Sequence, residues 1–176
     1  MRYLFFFTFY LLLITTSCNH EGESNHSAKN KLVTASDSLF KLDYKLEENL
    51  VKINPPHTSE FYLPDSSSKI EPYQFGDFNA DGKEDIMVYL GACGTGGCMY
   101  GLFLNQFENY YKLAFSDYLK GPEFVVDKNG VWVIKSFEEV EPYDPSQLYV
   151  SIYKFNPKTY YYKLDTLFIS IDELDD

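Results

Sequence analysis

At 176 residues the chain has the length of one domain with a core of its own. Its 26 acidic residues outweigh 15 basic ones, for a net charge of −11 at neutral pH. That balance speaks against nucleic acid and anionic lipid surfaces as partners, and it favours solubility and divalent cations.

In chain order, the first segment is MRYLFFFTFYLLLITTSC. Arg2 supplies a short positive start, Leu4 to Ile14 an apolar run, and Thr15, Thr16 and Ser17 the small residues a peptidase cuts after. The run is too short to span a bilayer comfortably, so residues 1–17 read as a signal peptide. Thr15-Thr16-Ser17-Cys18 resembles a bacterial lipobox. The resemblance implies that Cys18 becomes the acylated mature N-terminus and that the protein meets the membrane through this lipid anchor only. Several acyl chains on one residue hold nearly permanently. Residues 18–33 contain little that could form a core and read as the lipidated cysteine and a flexible tether. The domain proper is expected over 34–176.

Residues 36–53, SDSLFKLDYKLEENLVKI, fit two patterns. Leu39, Leu42, Leu46, Leu50 and Ile53 share one helical face, with Ser36 or Asp37 as cap. Phe40, Leu42, Tyr44 and Leu46 also alternate with charged residues, as in a strand. The leucine, lysine and glutamate content tips the segment toward a short N-terminal helix, which Pro55-Pro56 would end.

Next comes FGDFNADGKEDIMVYL, residues 75–90, where Asp77, Asn79, Asp81 and Asp85 alternate around one glycine before an apolar run. Carboxylates this close repel unless something positive lies between them. Calcium takes about six to eight oxygens, and a sharply turning loop can offer them from alternate positions. With Asp77 as position 1, Asn79, Asp81 and Asp85 fall at 3, 5 and 9, and the backbone carbonyl of Lys83 falls at 7. Gly82 stands at 6, where the turn needs a residue without Cβ. Position 12 is Val88, not the bidentate glutamate of an EF-hand, and a strand rather than a helix follows. The segment resembles the DxNxDGxxD calcium loops of FG-GAP and VCBS repeats, with Phe75-Gly76-Asp77 as lead-in. The resemblance implies a mainly structural ion held between a turn and a strand. A metal-free turn, in which Asp and Asn bond their own backbone, is the alternative.

Cys93 and Cys98 flank a glycine-rich turn, GACGTGGC. Export to an oxidising compartment makes a local disulfide the expected state, with free thiols as the alternative. Past Pro72, short runs of β-branched and aromatic residues separated by turn signals predict strands at Glu84–Leu90, Met99–Asn105, Tyr110–Ser116, Glu123–Asp127, Val131–Glu138, Leu148–Phe155, Tyr160–Leu164 and Leu167–Ile171. Asn129-Gly130 reads as a two-residue hairpin turn.

Similar landmarks recur at about 50 residues: turn glycines Gly82 and Gly130, then Tyr100 and Tyr149, then the Lys-Leu pairs at 112–113 and 163–164. The expected fold is therefore mainly β, an antiparallel meander or small sandwich of two propeller-blade-like units. Two such units cannot close a ring. In the second copy the counterparts of the calcium positions are Val125, Asp127, Asn129 and Val133, which lack the outer carboxylates.

His20 and His26 lie in the tether and His57 follows a double proline, so no histidine is placed for a triad. Glu138, Glu139, Glu141 and Asp144 offer carboxylates of the kind glycoside hydrolysis uses, though such runs more often end a solvated strand. The expected function is a non-catalytic binding or accessory module of the bacterial envelope, lipid-anchored at the outer membrane on its periplasmic or surface face, with an envelope protein or glycan as partner. A small envelope inhibitor of a lysozyme-type hydrolase is the alternative, and a carboxylate-dependent hydrolase a third.

Overall fold

The computed structural model describes residues 38–61, 63 and 70–171. The expected signal peptide, Cys18, the tether and the caps Ser36 and Asp37 lie outside these residues. Ten strands are described: β1 (Phe40–Lys45), β2 (Leu50–Asn54), β3 (Glu71–Gly76), β4 (Asp85–Gly94), β5 (Gly97–Phe107), β6 (Tyr110–Leu119), β7 (Glu123–Val126), β8 (Trp132–Glu141), β9 (Asp144–Asn156) and β10 (Tyr161–Ile171). They form a six-stranded sheet in the order β2-β1-β6-β5-β4-β3 and a four-stranded sheet in the order β10-β9-β8-β7. Each pairing is antiparallel. The fold is mainly β, and the two segments carrying the internal repeat, β3–β6 and β7–β10, each form a four-stranded meander.

The segment tipped toward a helix is instead the β1–β2 hairpin, joined by the single 3-10 turn Leu46–Glu48. Alternation outweighs helix propensity here because the hairpin has a neighbour to pair with. Phe40 and Lys41 pair with Tyr111 and Tyr110 of β6, and the Leu42 N–H donates to the Asn109 carbonyl at 3.0 Å. Phe40, Leu42, Val51 and Ile53 all bury their side chains. A helix would have satisfied its own backbone but left the β6 edge open.

The large sheet curls until its two edges approach. The Val51 N–H donates to the carbonyl of Ile70, just before β3, at 2.9 Å, and the Tyr44 ring lies 5.5 Å from that of Phe75. Its strands are therefore apolar on both faces. In β4 and β5, Ile86, Val88, Leu90 and Phe103 point into the curl beside the β1–β2 side chains. Met87, Tyr100, Leu102 and Leu104 point the other way, against Ile134 and Tyr162 of the small sheet. This double burial explains the unbroken run Ile86–Leu90: alternation of apolar and polar marks a strand with one wet face, and β4 has none.

Three details depart from the expected elements. β3 was not foreseen, because Pro72 breaks its pattern; the strand lies at the sheet edge, and its register shifts between Pro72 and Gln74. The two expected terminal strands are one, β10, whose register shifts between Leu164 and Thr166. Asn129-Gly130 sits in a five-residue loop, 127–131, rather than a two-residue turn. There the Asp127 N–H donates to the Val131 carbonyl at 2.8 Å, and Asp127 Oδ1 accepts the N–H groups of Asn129 (2.7 Å) and Val131 (3.0 Å).

Candidate metal centre

Loop 77–84 joins β3 to β4 and turns twice through the left-handed region, at Ala80 (φ 58°) and Gly82 (φ 83°). Its carboxylates meet backbone donors. Asp77 Oδ1 accepts the Asp81 N–H at 2.9 Å and Asp77 Oδ2 the Gly82 N–H at 2.8 Å. Asp81 Oδ1 accepts the Lys83 N–H at 3.0 Å, while Lys83 Nζ lies 3.8 Å from Asp81 Oδ2 and 3.5 Å from the Asn105 carbonyl. Asn79 Nδ2 donates to Asp81 Oδ2 at 3.1 Å and to the Tyr160 hydroxyl at 3.2 Å.

Asp85 behaves differently. It opens β4 and is fully buried. Oδ2 accepts the Phe78 N–H at 2.9 Å and Oδ1 the Asn105 N–H at 2.8 Å, so its carboxylate ties the loop to the end of β5. Burial raises its pKa to about 7; the two N–H groups pull against this, and the charges of Asp81 and Asp77 add to it.

The loop also clasps the two sheets together. Phe78 is the loop's one large apolar residue and is fully buried; its ring lies 4.8 Å from that of Trp132 and 5.9 Å from that of Phe124. The Phe78 carbonyl accepts the Trp132 N–H at 3.0 Å and the Tyr162 hydroxyl at 2.7 Å; the same hydroxyl reaches the Trp132 carbonyl at 3.0 Å. Gly76 is required just upstream, since a Cβ there would stand 2.8 Å from the Trp132 ring. Sequence reasoning missed Trp132, Tyr160 and Tyr162 as partners of this loop. The available signal was the isolated Phe78 among polar residues, which has to be buried against something.

The structure thus joins Asp77, Asn79, Asp81 and Lys83 in one network above the turn and sets Asp85 beneath it. The donor set consists of hard oxygens, which suits calcium, and a carboxylate oxygen that accepts one N–H keeps further acceptor capacity. As folded, however, the loop satisfies its carboxylates from its own N–H groups and Lys83. Among the described residues no three or more His, Cys, Asp or Glu side chains gather as a metal cluster.

At the far end of β4, Cys93 and Cys98 face each other across the β4–β5 hairpin and are disulfide-bonded, as expected. Of the acidic run at the β8–β9 turn, Glu139 pairs with Lys120. The hydrogen bond from that ammonium holds its carboxyl below the usual range. This suits a fixed acceptor, not a proton donor. No known protein family matches the chain, and no characterised protein or solved structure does so either.

Proposed function

We propose that the chain is a non-catalytic binding or accessory module of the bacterial envelope, anchored by lipid on Cys18, with calcium as a structural ion of loop 77–85. One observation carries the binding reading. In the acidic run, Glu139 and Asp144 are held by Lys120 and the Ser146 N–H, whereas the surface keeps large apolar side chains in the open: Tyr73, Tyr118, Tyr143, Leu167, Phe168 and Ile171 among them. Scattered exposed apolar residues are ordinary, but Leu167, Ile169 and Ile171 alternate along β10 and so share one exposed face, and such patches mark contact surfaces. The leader and Cys18 support the address, and the DxNxDGxxD spacing supports the ion. Tyr160 and Asn79 would orient the outer carboxylate of Asp81 in either state of the loop.

Two measurements test this. Metabolic labelling with a fatty acid is expected to mark the chain and to fail in Cys18→Ser; labelling that persists removes the anchor. A thermal melt in about 10 mM calcium is expected to rise by about 3 °C or more over a melt in EDTA, for a site of millimolar affinity. Asp81→Ala, which removes the ligating oxygens, should abolish that rise. Equal melts with and without calcium would leave the loop as a metal-free turn.

A further inference from the structure

The end of the sandwich away from the aspartate loop carries a cleft of about 640 Å³, lined by Gly94, Thr95 and Gly96 on one side and Glu138, Glu139 and Tyr143 on the other. Its walls are fixed. The Cys93–Cys98 disulfide staples the first turn. Gly97 presses that turn onto the crossover between the sheets, so closely that a Cβ would stand 2.3 Å from the Leu119 carbonyl oxygen. Lys120, in that crossover, donates its N–H to Ser136 Oγ at 2.9 Å and accepts the Phe137 N–H at 2.8 Å, which locks it to β8. Its ammonium then reaches into the cleft and pairs with Glu139.

On the rim stands Tyr143, 96% exposed, the most exposed of the described large apolar and aromatic side chains. It also has a left-handed backbone (φ 68°), which costs a non-glycine residue about 1–2 kcal/mol. A ring held fully in water on a strained turn, beside a preformed cleft, is arranged for a ligand rather than for the fold.

The lining states what kind of ligand. Cleft volumes of roughly 300–1,000 Å³ suit small molecules and short oligomers. Glu138 leaves the cleft one net negative charge, which turns away anionic ligands, while Lys120 and Glu139 compensate each other as an ion pair. Both members can still exchange hydrogen bonds with neutral hydroxyls, and Glu138 adds a second acceptor. Gly94 and Gly96 meet nothing within 4 Å of where a Cβ would be, so a ligand can lie directly on the backbone. A sugar ring has one apolar C–H face for an aromatic platform and a rim of hydroxyls for the charged groups. An apolar peptide side chain would find only Pro142 and the ring of Tyr143.

We propose that this cleft binds a neutral oligosaccharide, with its C–H face on Tyr143 and its hydroxyls on Glu138, Glu139 and Lys120. The proposal rests on the reading of the chain as a binding module and names its ligand class. The test is calorimetric titration of the full-length chain with cellotriose, maltotriose, laminaritriose and chitotriose. At least one is expected to bind, and Tyr143→Ala to weaken it about tenfold or more. Gly96→Leu, at a position with an ordinary backbone and free space, should fill the cleft and abolish binding without moving the melting temperature. Phe107→Ala, at the opposite end of β5, should leave binding unchanged. No binding of any of the four at about 10 mM, or binding untouched by both cleft variants, overturns the proposal. That failure would not touch the acyl anchor or the calcium-dependent melt, which depend on Cys18 and Asp81. Hydrolysis of a bound trisaccharide would keep the cleft but overturn the non-catalytic reading.

Discussion

Loops 77–84 and 127–131 occupy equivalent places in the two meanders, between the first and second strands of each, and they solve the same turn by different means. The second needs a single carboxylate: Asp127 accepts the Asn129 and Val131 N–H groups and the chain turns at Gly130 (φ 82°). The first uses Asp77 for that task and adds two buried anchors, the ring of Phe78 and the carboxylate of Asp85. The two turns also touch, since a Cβ on Gly130 would lie 3.8 Å from that of Ala80. The comparison teaches that extra acidic residues in the first loop do structural work of two kinds. Asp77 and Asp81 shape the turn in water, whereas Asp85 holds it to the core.

The largest break in this comparison should come from Phe78→Ala. It removes a fully buried ring from between the sheets and is expected to cost about 3–5 kcal/mol in denaturant unfolding. A loss under about 1 kcal/mol would mean that the loop does not clasp the sheets. Smaller is Tyr162→Phe, which leaves the carbonyls of Phe78 and Trp132 without their shared hydroxyl donor. About 1–2 kcal/mol is expected, with little change in the dependence on denaturant concentration.

The subtlest test is titration, because the two loops should respond to pH with opposite signs. Burial raises Asp85 to about 7 in the fold, above its unfolded value near 3.8, so in EDTA its protonated form favours folding. Its contribution is fully present at acid pH and lost as pH rises between those values. Asp127 is lowered, chiefly by the Asn129 N–H, so its contribution is present above the usual carboxylate range and lost as pH falls through the lowered value. Unfolding measured from strongly acid to mildly alkaline pH should therefore lose the neutral-side decline in Asp85→Asn and the acid-side decline in Asp127→Asn. A single shared slope in both variants would show that the two carboxylates are not held differently.

Much of this architecture could be read in advance, and the limits have physical causes. Strands β4 to β10 announced themselves through β-branched and aromatic runs between turn residues, and the repeat foretold two similar meanders. The β1–β2 hairpin was obscured because four leucines and Ile53 at helical spacing overlap the alternating set Phe40, Leu42, Tyr44 and Leu46. What decides between the readings is the open edge of β6, which is remote in sequence. Asp85 was read as one ligand among equals because spacing alone does not tell which carboxylate turns inward. The Phe78 and Asn105 N–H groups that draw it under the loop come from opposite sides of it. Tyr162 was one tyrosine in a run of three, and only the packing of the two sheets distinguishes it from Tyr161, whose hydroxyl group faces elsewhere.

The pairing of β1 with β6 has a consequence for biosynthesis. The β1–β2 hairpin is synthesised first of the described strands, yet the strand it docks against follows only after β3, β4 and β5. Until β4 and β5 follow, Phe40, Leu42, Val51 and Ile53 lack Ile86, Val88, Leu90 and Phe103, against which they pack, and until β6 follows the edge of β1 stays unpaired. Synthesis from the N-terminus thus leaves the nascent chain in an adhesive intermediate for as long as β6 is missing, and slower elongation lengthens that exposure.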